Sequence, residues 1–225
     1  SISFTLNKCL TSTKLEFIKK TNSSELIDFD IYYNDKLKED FKPKIQSFFD
    51  KIIKYCPYIL NYKFKINTFN TFPHSSGIAS SASGISALAL CIMSLEQLIN
   101  PKITDEYFFT KASFLARLGS GSACRSLKGR INLWGYHSSF NTSSDLYSID
   151  FPNKVDDVFN TYHDAVLLVD KGIKTVSSTA GHNLMNNHPF ADKRFQIAQE
   201  NIDKLSTILK NGDTNEFVKI VENEA

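Results

Sequence analysis

The sequence predicts an α+β fold, and three observations carry that expectation. Segments with the two-residue period of strands and segments with the period of helices both occur, in an order that is not a strict alternation. The 225 residues are 42% hydrophobic and 22% charged, a composition that buries a core and excludes a disordered chain. A polar stretch over residues 141–160, containing Pro152, divides the chain, so that residues 1–158 form one domain and 159–225 begin another.

Taken in order, Ile2, Phe4 and Leu6, then Leu15 and Phe17, then Ile31 and Tyr33 alternate with polar neighbours, which predicts antiparallel strands within residues 1–33. Ile45, Phe48, Phe49, Ile52, Ile53 and Cys56 recur at helical spacing behind Pro43, a residue suited to a helix start. Tyr62, Phe64 and Ile66 alternate with Lys63, Lys65 and Asn67, the period of a half-buried strand. A loop over 70–84 follows, then a buried helix over 85–98. Thr104, backed by Asp105 and Glu106, caps a helix that reaches Leu118 and ends at Gly119. Strands are expected over 132–137 and 163–170, the second centred on Ala165, Val166, Leu167, Leu168 and Val169. Lys171 and Gly172 turn the chain toward 175–178. Pro189 then opens a helix to Leu209 with Phe195, Ile202, Leu205 and Leu209 on one face, stopped by Asn211 and Gly212. A last helix from Thr214 carries Phe217, Ile220 and Val221 with nothing downstream to cover them, so these three are expected to face water.

Charge and cysteine usage narrow the function. With 26 Lys and Arg against 24 Asp and Glu the net charge is +2, without a block of like charge, which lacks the footprint of a nucleic-acid binder. The longest apolar run, 85–93, falls short of the about 20 residues that span a bilayer. Neither nucleic acid nor a membrane is therefore expected as a partner. Cys9, Cys56, Cys91 and Cys124 form no C-x-x-C pair, and His74, His137, His163, His182 and His188 form no cluster. Four reduced thiols in a cytoplasmic protein are expected, and no metal site built by the protein is indicated.

Five of the nine glycines, Gly77, Gly84, Gly119, Gly121 and Gly129, fall in two short stretches at helix ends. The first runs from Asn70 through Pro73, Gly77, Ile78, Ala79, Ser80 and Ser81 to Gly84, after a strand and before an apolar helix. Inward-turned backbone N–H groups, a helix N-terminus and serine hydroxyls together suit a phosphate, although a serine-rich linker or a plain helix cap would read the same way. Neither G-x-x-x-x-G-K-[ST] nor G-x-G-x-x-G is present. The second stretch sets Arg125 behind Ser120, Gly121 and Ser122. Arginine is scarce, with four against 22 lysines, so its placement here suggests a bidentate grip on an oxyanion; a solvated arginine after a helix cap is the alternative.

These residues carry a resemblance. Phe72-Pro-x-x-x-Gly77-Ile-Ala-Ser-Ser-Ala82 resembles the phosphate-binding motif of the GHMP kinase superfamily. Ser120-Gly-Ser-Ala-Cys-Arg125-Ser resembles the signature of its diphosphomevalonate decarboxylase family, and Val176-Ser-Ser-Thr179-Ala-Gly181-His is similar to that family's S-S-T-x-G-M stretch. The resemblance implies the two-domain GHMP kinase fold: an N-terminal domain of ribosomal protein S5 domain 2-like type and an incomplete ferredoxin-like C-terminal domain. It implies ATP-dependent decarboxylation of (R)-5-diphosphomevalonate to isopentenyl diphosphate in isoprenoid biosynthesis, with ATP and Mg2+ required and a homodimer as the assembly. Pro73, Gly77, Ile78, Ala79, Ser80 and Ser81 would hold ATP. Ser120, Gly121, Ser122, Arg125, Ser178 and Thr179 would bind the substrate, with Arg125 also catalytic. The alternatives are a related GHMP small-molecule kinase, a decarboxylase of a mevalonate monophosphate or bisphosphate, or an inactive phosphate-binding homologue. Family members carry a K-Y-W-G-K-like segment ahead of the position matched by Ser1 and an essential Asp in a D-A-G-P-N-type loop beyond the position matched by Ala225. The sequence is accordingly expected to be an internal portion of the enzyme, inactive alone.

Overall fold

The computed structural model describes residues 1–22, 26–74, 78–167, 181, 184 and 187–224. Its larger sheet is organised around β5 (Tyr62–Asn70). Strand β2 (Thr11–Lys19) pairs with β5 antiparallel along its whole length, while β3 (Asp28–Tyr33) lies on the other side and runs parallel to it. The antiparallel expectation for residues 1–33 is corrected at this point. The chain leaves β3, makes the short edge strand β4 (Lys36–Leu37), and returns to β5 over helix α1 (Lys42–Ile52), and a strand that comes back over a helix enters its sheet parallel.

Alternation along these strands sorts the two faces. Phe29, Ile31, Phe64 and Ile66 point inward and pack with Phe48, Phe49 and Ile52 of α1. Helices α2 (Ser80–Ile99) and α3 (Asp105–Gly119) complete this core with Ile85, Leu88, Ile92 and Leu115. Glu16, Asp28, Asp30, Lys63 and Lys65 face outward as solvent-exposed ion pairs, which add little stability. Helix α2 begins at Ser80 instead of Ile85, so Gly84 lies inside the helix and not in a loop. At 20 residues α2 is long and apolar enough to cross a bilayer, which the short run over 85–93 did not suggest; its apolar side chains serve the core. Thr104 caps α3 as expected, its hydroxyl oxygen accepting the Tyr107 N–H at 3.2 Å.

A second, smaller sheet has the order β1 (Ile2–Phe4), β6 (Ile131–Trp134), β7 (Ser148–Asp150), all antiparallel. β1 thus pairs with a strand about 130 residues away and not with β2. β6 stops three residues short of the expected His137, and β7 lies inside the polar stretch taken from the sequence as a boundary. On one face of this sheet Ile2, Leu133, Ile149 and Phe151 meet Phe140 and Ile202, the last from helix α4 (Ala191–Asn211). Helix α5 (Thr214–Glu224) adds Phe217 and Ile220 to a cluster with Phe4, Phe159, Ile208 and Leu209. The expectation that Phe217 and Ile220 face water is overturned, because Phe4 of β1 and Phe159, both from elements before α4, cover them, their rings 6.0 and 5.2 Å from that of Phe217. Val221 is exposed. Phe195 is 58% exposed and does not share the buried face with Ile202 and Leu209. Gly212, at φ 74°, ends α4 as expected. Of the strand expected over 163–170, residues 163–167 have no regular structure, and the rest, with the turn toward 175–178, lies outside the described residues.

Candidate functional site

The first candidate segment joins β5 to α2. Ala79, the residue before the helix, is left-handed at φ 50° and ψ 35°, and its carbonyl accepts the N–H groups of Ala82 and Ser83 at 2.9 and 3.1 Å. Left-handed backbone costs about 1 kcal/mol or more in a residue with a Cβ, a strain typical of functional turns. Glycine was expected to supply this conformation; Gly84 sits in ordinary helix, and Gly77 lies outside the described residues. Ser80 and Ser81 are the first residues of α2 and half-buried, Ile78 is half-buried, and Pro73 is exposed in the preceding loop. The Lys44 ammonium, carried on α1, donates to the Ser81 hydroxyl. Burial first, then the charge of Lys51, hold the Lys44 pKa below the usual lysine value. A helix N-terminus, hydroxyl donors and an ammonium therefore converge at one spot, the chemistry of a polyphosphate site. Beside it His74 lies against Tyr33 and Phe41, with ring centroids 5.6 and 5.0 Å apart, and Lys38 sits 5.4 Å over Phe41. Burial, and next the Lys38 charge, push the His74 pKa down, which favours a neutral ring.

The second segment follows α3. Gly119 closes the helix where Phe48 and Ile85 press against it, Ser120 is extended, and Gly121–Arg125 forms a single 3-10 turn. Ser120 and Ser122 are half-buried, Gly121 is exposed, and Ala123 and Cys124 are buried. Burial raises the Cys124 thiol to a pKa of about 11, so this cysteine is not a nucleophile at neutral pH. Arg125 Nη1 donates to the Ser3 hydroxyl at 2.8 Å, its Nε reaches the Ser122 carbonyl at 3.5 Å, and its guanidinium lies 5.8 Å over the Trp134 ring. Its other terminal nitrogen has no hydrogen-bond partner among the described residues, which leaves a donor edge for an anion. Gly129, at φ +83°, lets the chain turn back into β6.

The structure brings the two segments together. The Ser86 hydroxyl, on α2, donates to the Ala123 carbonyl at 2.7 Å, and Ser80 and Ser86 are separated by roughly 9 Å of helix rise. Ser178 and Thr179 lie outside the described residues. Lys44, Ser3, Trp134 and the His74 cluster were not singled out from the sequence, since each reaches the site from a distant element and carries no local motif. Among the described residues there is no group of three or more His, Cys, Asp or Glu that could hold a metal. A divalent cation would fit here on polyphosphate oxygens and water.

A strained turn and helix N-terminus thus lie beside an arginine-bearing turn on a split α+β scaffold, an arrangement whose chemistry suits phosphate groups. The family described as "diphosphomevalonate decarboxylase-like N-terminal domain" matches residues 1–145, and the chain belongs to it. The diphosphomevalonate decarboxylase of Ganoderma lucidum is 29% identical over 166 residues, covering 73% of this chain and 39% of the relative. The mevalonate diphosphate decarboxylase structure from Staphylococcus aureus superposes with a TM-score of 0.68 at 25% identity, over 94% of this chain and 59% of that one. A further structure, of MDDEF in complex with MVAPP, AMPPCP and magnesium, superposes with a TM-score of 0.71 at 24% identity, over 94% of this chain and 60% of that one, and speaks to the fold. The chain thus spans between about two fifths and three fifths of the length of these relatives.

Proposed function

We propose that this chain forms part of an ATP-dependent decarboxylase that converts (R)-5-diphosphomevalonate into isopentenyl diphosphate, ADP, phosphate and CO2. The observation that carries the reading is the placement of Arg125: a guanidinium fixed from two sides by Ser3 and Trp134, presenting a donor edge, and linked through Ala123 and Ser86 to the start of α2. The reaction phosphorylates a tertiary hydroxyl and then expels phosphate and CO2, so the protein's work is to hold two polyphosphates and to stabilise charge. Ser80, Ser81 and Lys44 hold the ATP phosphates, with Pro73, Gly77, Ile78 and Ala79 shaping the loop. Mg2+ held on phosphate oxygens and water would supply neutralisation of phosphate charge. Ser120, Gly121 and Ser122 bind the substrate, and Arg125 orients its carboxylate and steadies developing charge. Ser178 and Thr179 reach the substrate diphosphate. The division into domains over 1–158 and 159–225, which rests on the polar stretch around Pro152, a cytoplasmic location, which rests on the scattered cysteines, and a homodimer, which rests on the family resemblance, belong to the same proposal; sedimentation of the purified protein tests the last.

The test is substitution of Arg125 in the complete reading frame that contains this chain. Arg125→Leu lowers kcat by about two or more orders of magnitude while the melting temperature stays near that of the parent. Arg125→Lys restores little, because an ammonium lacks the planar two-donor fork. Near-normal turnover in Arg125→Leu would remove Arg125 from the chemistry.

A further inference from the structure

Ser86 and Ser113 are 1% and 3% exposed, enclosed by the apolar residues of α2 and α3. A buried hydroxyl is costly unless it is bonded, and both of these reach one feature, the 3-10 turn that carries Arg125. The Ser113 hydroxyl donates to the Cys124 carbonyl at 2.9 Å and accepts the Ser148 N–H at 2.9 Å. The Ser148 hydroxyl, from β7, donates to that same carbonyl at 2.5 Å. The Ser86 hydroxyl has a single proton and two acceptors within reach, Ala82 of its own helix at 2.8 Å and Ala123 of the turn at 2.7 Å. Three elements thus hold two consecutive carbonyls.

We propose that Ser86, Ser113 and Ser148 are positioning residues that aim Arg125 by clamping the carbonyls of Ala123 and Cys124. A peptide unit is planar, so fixing the Cys124 oxygen by two hydroxyls fixes the orientation of the Cys124–Arg125 peptide and with it the Arg125 Cα. The side chain then leaves the backbone in the direction that Ser3 and Trp134 complete. Preorganisation of this kind matters because a donor misplaced by about 1 Å from developing charge loses most of its benefit. The catalytic consequence rests on the role given to Arg125 above; the positioning itself does not.

The experiment reads Arg125 directly. In the complete reading frame that contains this chain, labelled with 15N-arginine, the Nε–H signal lost in Arg125→Lys is the one that belongs to Arg125. In the parent this signal is dispersed, with the heteronuclear NOE of an ordered group. Ser148→Val, which removes the hydroxyl and puts a residue of high strand propensity in its place, moves it toward the free-arginine position and lowers its NOE by about half or more. Ser148→Thr, which keeps the hydroxyl, leaves it in place, and the Arg194 signal at the far end of α4 is unmoved by either change. Ser113→Ala is the second variant and gives the same loss from the other side of the carbonyl. In the complete reading frame Ser148→Val lowers kcat about tenfold with KM within about twofold, and adds nothing in an Arg125→Lys background. An unmoved Arg125 signal in folded Ser148→Val and Ser113→Ala overturns the clamp. A moved signal in a protein without decarboxylase activity keeps the clamp and rejects the decarboxylase reading instead.

Discussion

Gly119 sits one residue before the segment given to substrate binding, and adding a single methyl group there tests how tightly that segment is held. An alanine Cβ at this position would lie 2.6 Å from Phe48 Cδ2 and 2.7 Å from Ile85 Cγ2. Both neighbours are buried in the main core, so neither can swing into solvent. Overpacking of this type costs about 1–3 kcal/mol, and the better helix propensity of alanine over glycine at the last position of α3 returns about 0.5–1 kcal/mol. The net loss, up to about 2.5 kcal/mol and centred near 1 kcal/mol, lowers the melting temperature of a chain this size by about 2–4 °C at the centre of that range and by roughly 10 °C at most. Because the backbone at 119 must yield as well, Ser120 and the turn behind it shift, and turnover falls by more than the loss of stability explains. Thermal unfolding of Gly119→Ala measures the first effect. Ile85→Ala, which removes the clashing Cγ2, should make the double variant less destabilised than the two single costs added together. A Gly119→Ala protein that melts at or above the parent temperature would refute the close approach and the tight seating of the turn.

Three further outcomes follow from particular contacts. Lys44→Met weakens binding of a non-hydrolysable ATP analogue by about tenfold without changing the fold, as measured by calorimetry; because the Lys44 pKa is held below 10.5, affinity in the parent should also decline at a lower pH than an ordinary lysine would dictate. Lys111 donates to Glu96 at 2.7 and 2.8 Å in a pair that is 15% exposed on both sides, and Lys111→Met, which strands the carboxylate, costs about 1–3 kcal/mol in chemical denaturation. Burial alone would lower the Lys111 pKa, but its bonds to Glu96, joined by Cys56 and Tyr107, together raise it, so the contribution is complete below pH 10.5 and is lost as pH rises through the folded value, a loss absent from Lys111→Met. Thr104→Ala removes the cap bond to Tyr107 and lowers stability by about 1 kcal/mol, seen as a melting point lower by roughly 2–4 °C.

What the sequence disclosed was what is written locally. The alternation around Phe64, the helix behind Pro43 and the cap at Thr104 each depend on residues within one or two turns; the first and last are found where they were expected, and the helix is found but ends at Ile52, short of Ile53 and Cys56. Pairings between distant segments carry no such signal: β3 joins β5 in parallel, β1 joins β6, and β7 is a strand only because Ser148 and Ile149 find partners across the sheet. Phe217 and Ile220 looked uncovered for the same reason, their partners Phe4 and Phe159 being remote in the chain. The first residues of α2 were not legible because Ser80, Ser81 and Ser83 are poor helix formers, and only the left-handed turn at Ala79 and the bond from Lys44 mark its start. At the site, the arginine scarcity and the motif spacing pointed to Arg125, Ser120 and Ser122. The residues that aim Arg125 remained hidden, since a single serine among apolar helix residues looks the same whether it clamps a carbonyl or bonds back to its own helix.

The most direct test of the account is the release of CO2 from 5-diphosphomevalonate labelled at its carboxylate, measured with the complete reading frame that contains this chain, with and without ATP and Mg2+. The account predicts CO2 release that depends on ATP, yields ADP and phosphate in equal amounts with the CO2, and disappears in Arg125→Leu. A folded protein that binds ATP yet releases no CO2, or one that transfers phosphate to the substrate and stops there, would contradict it.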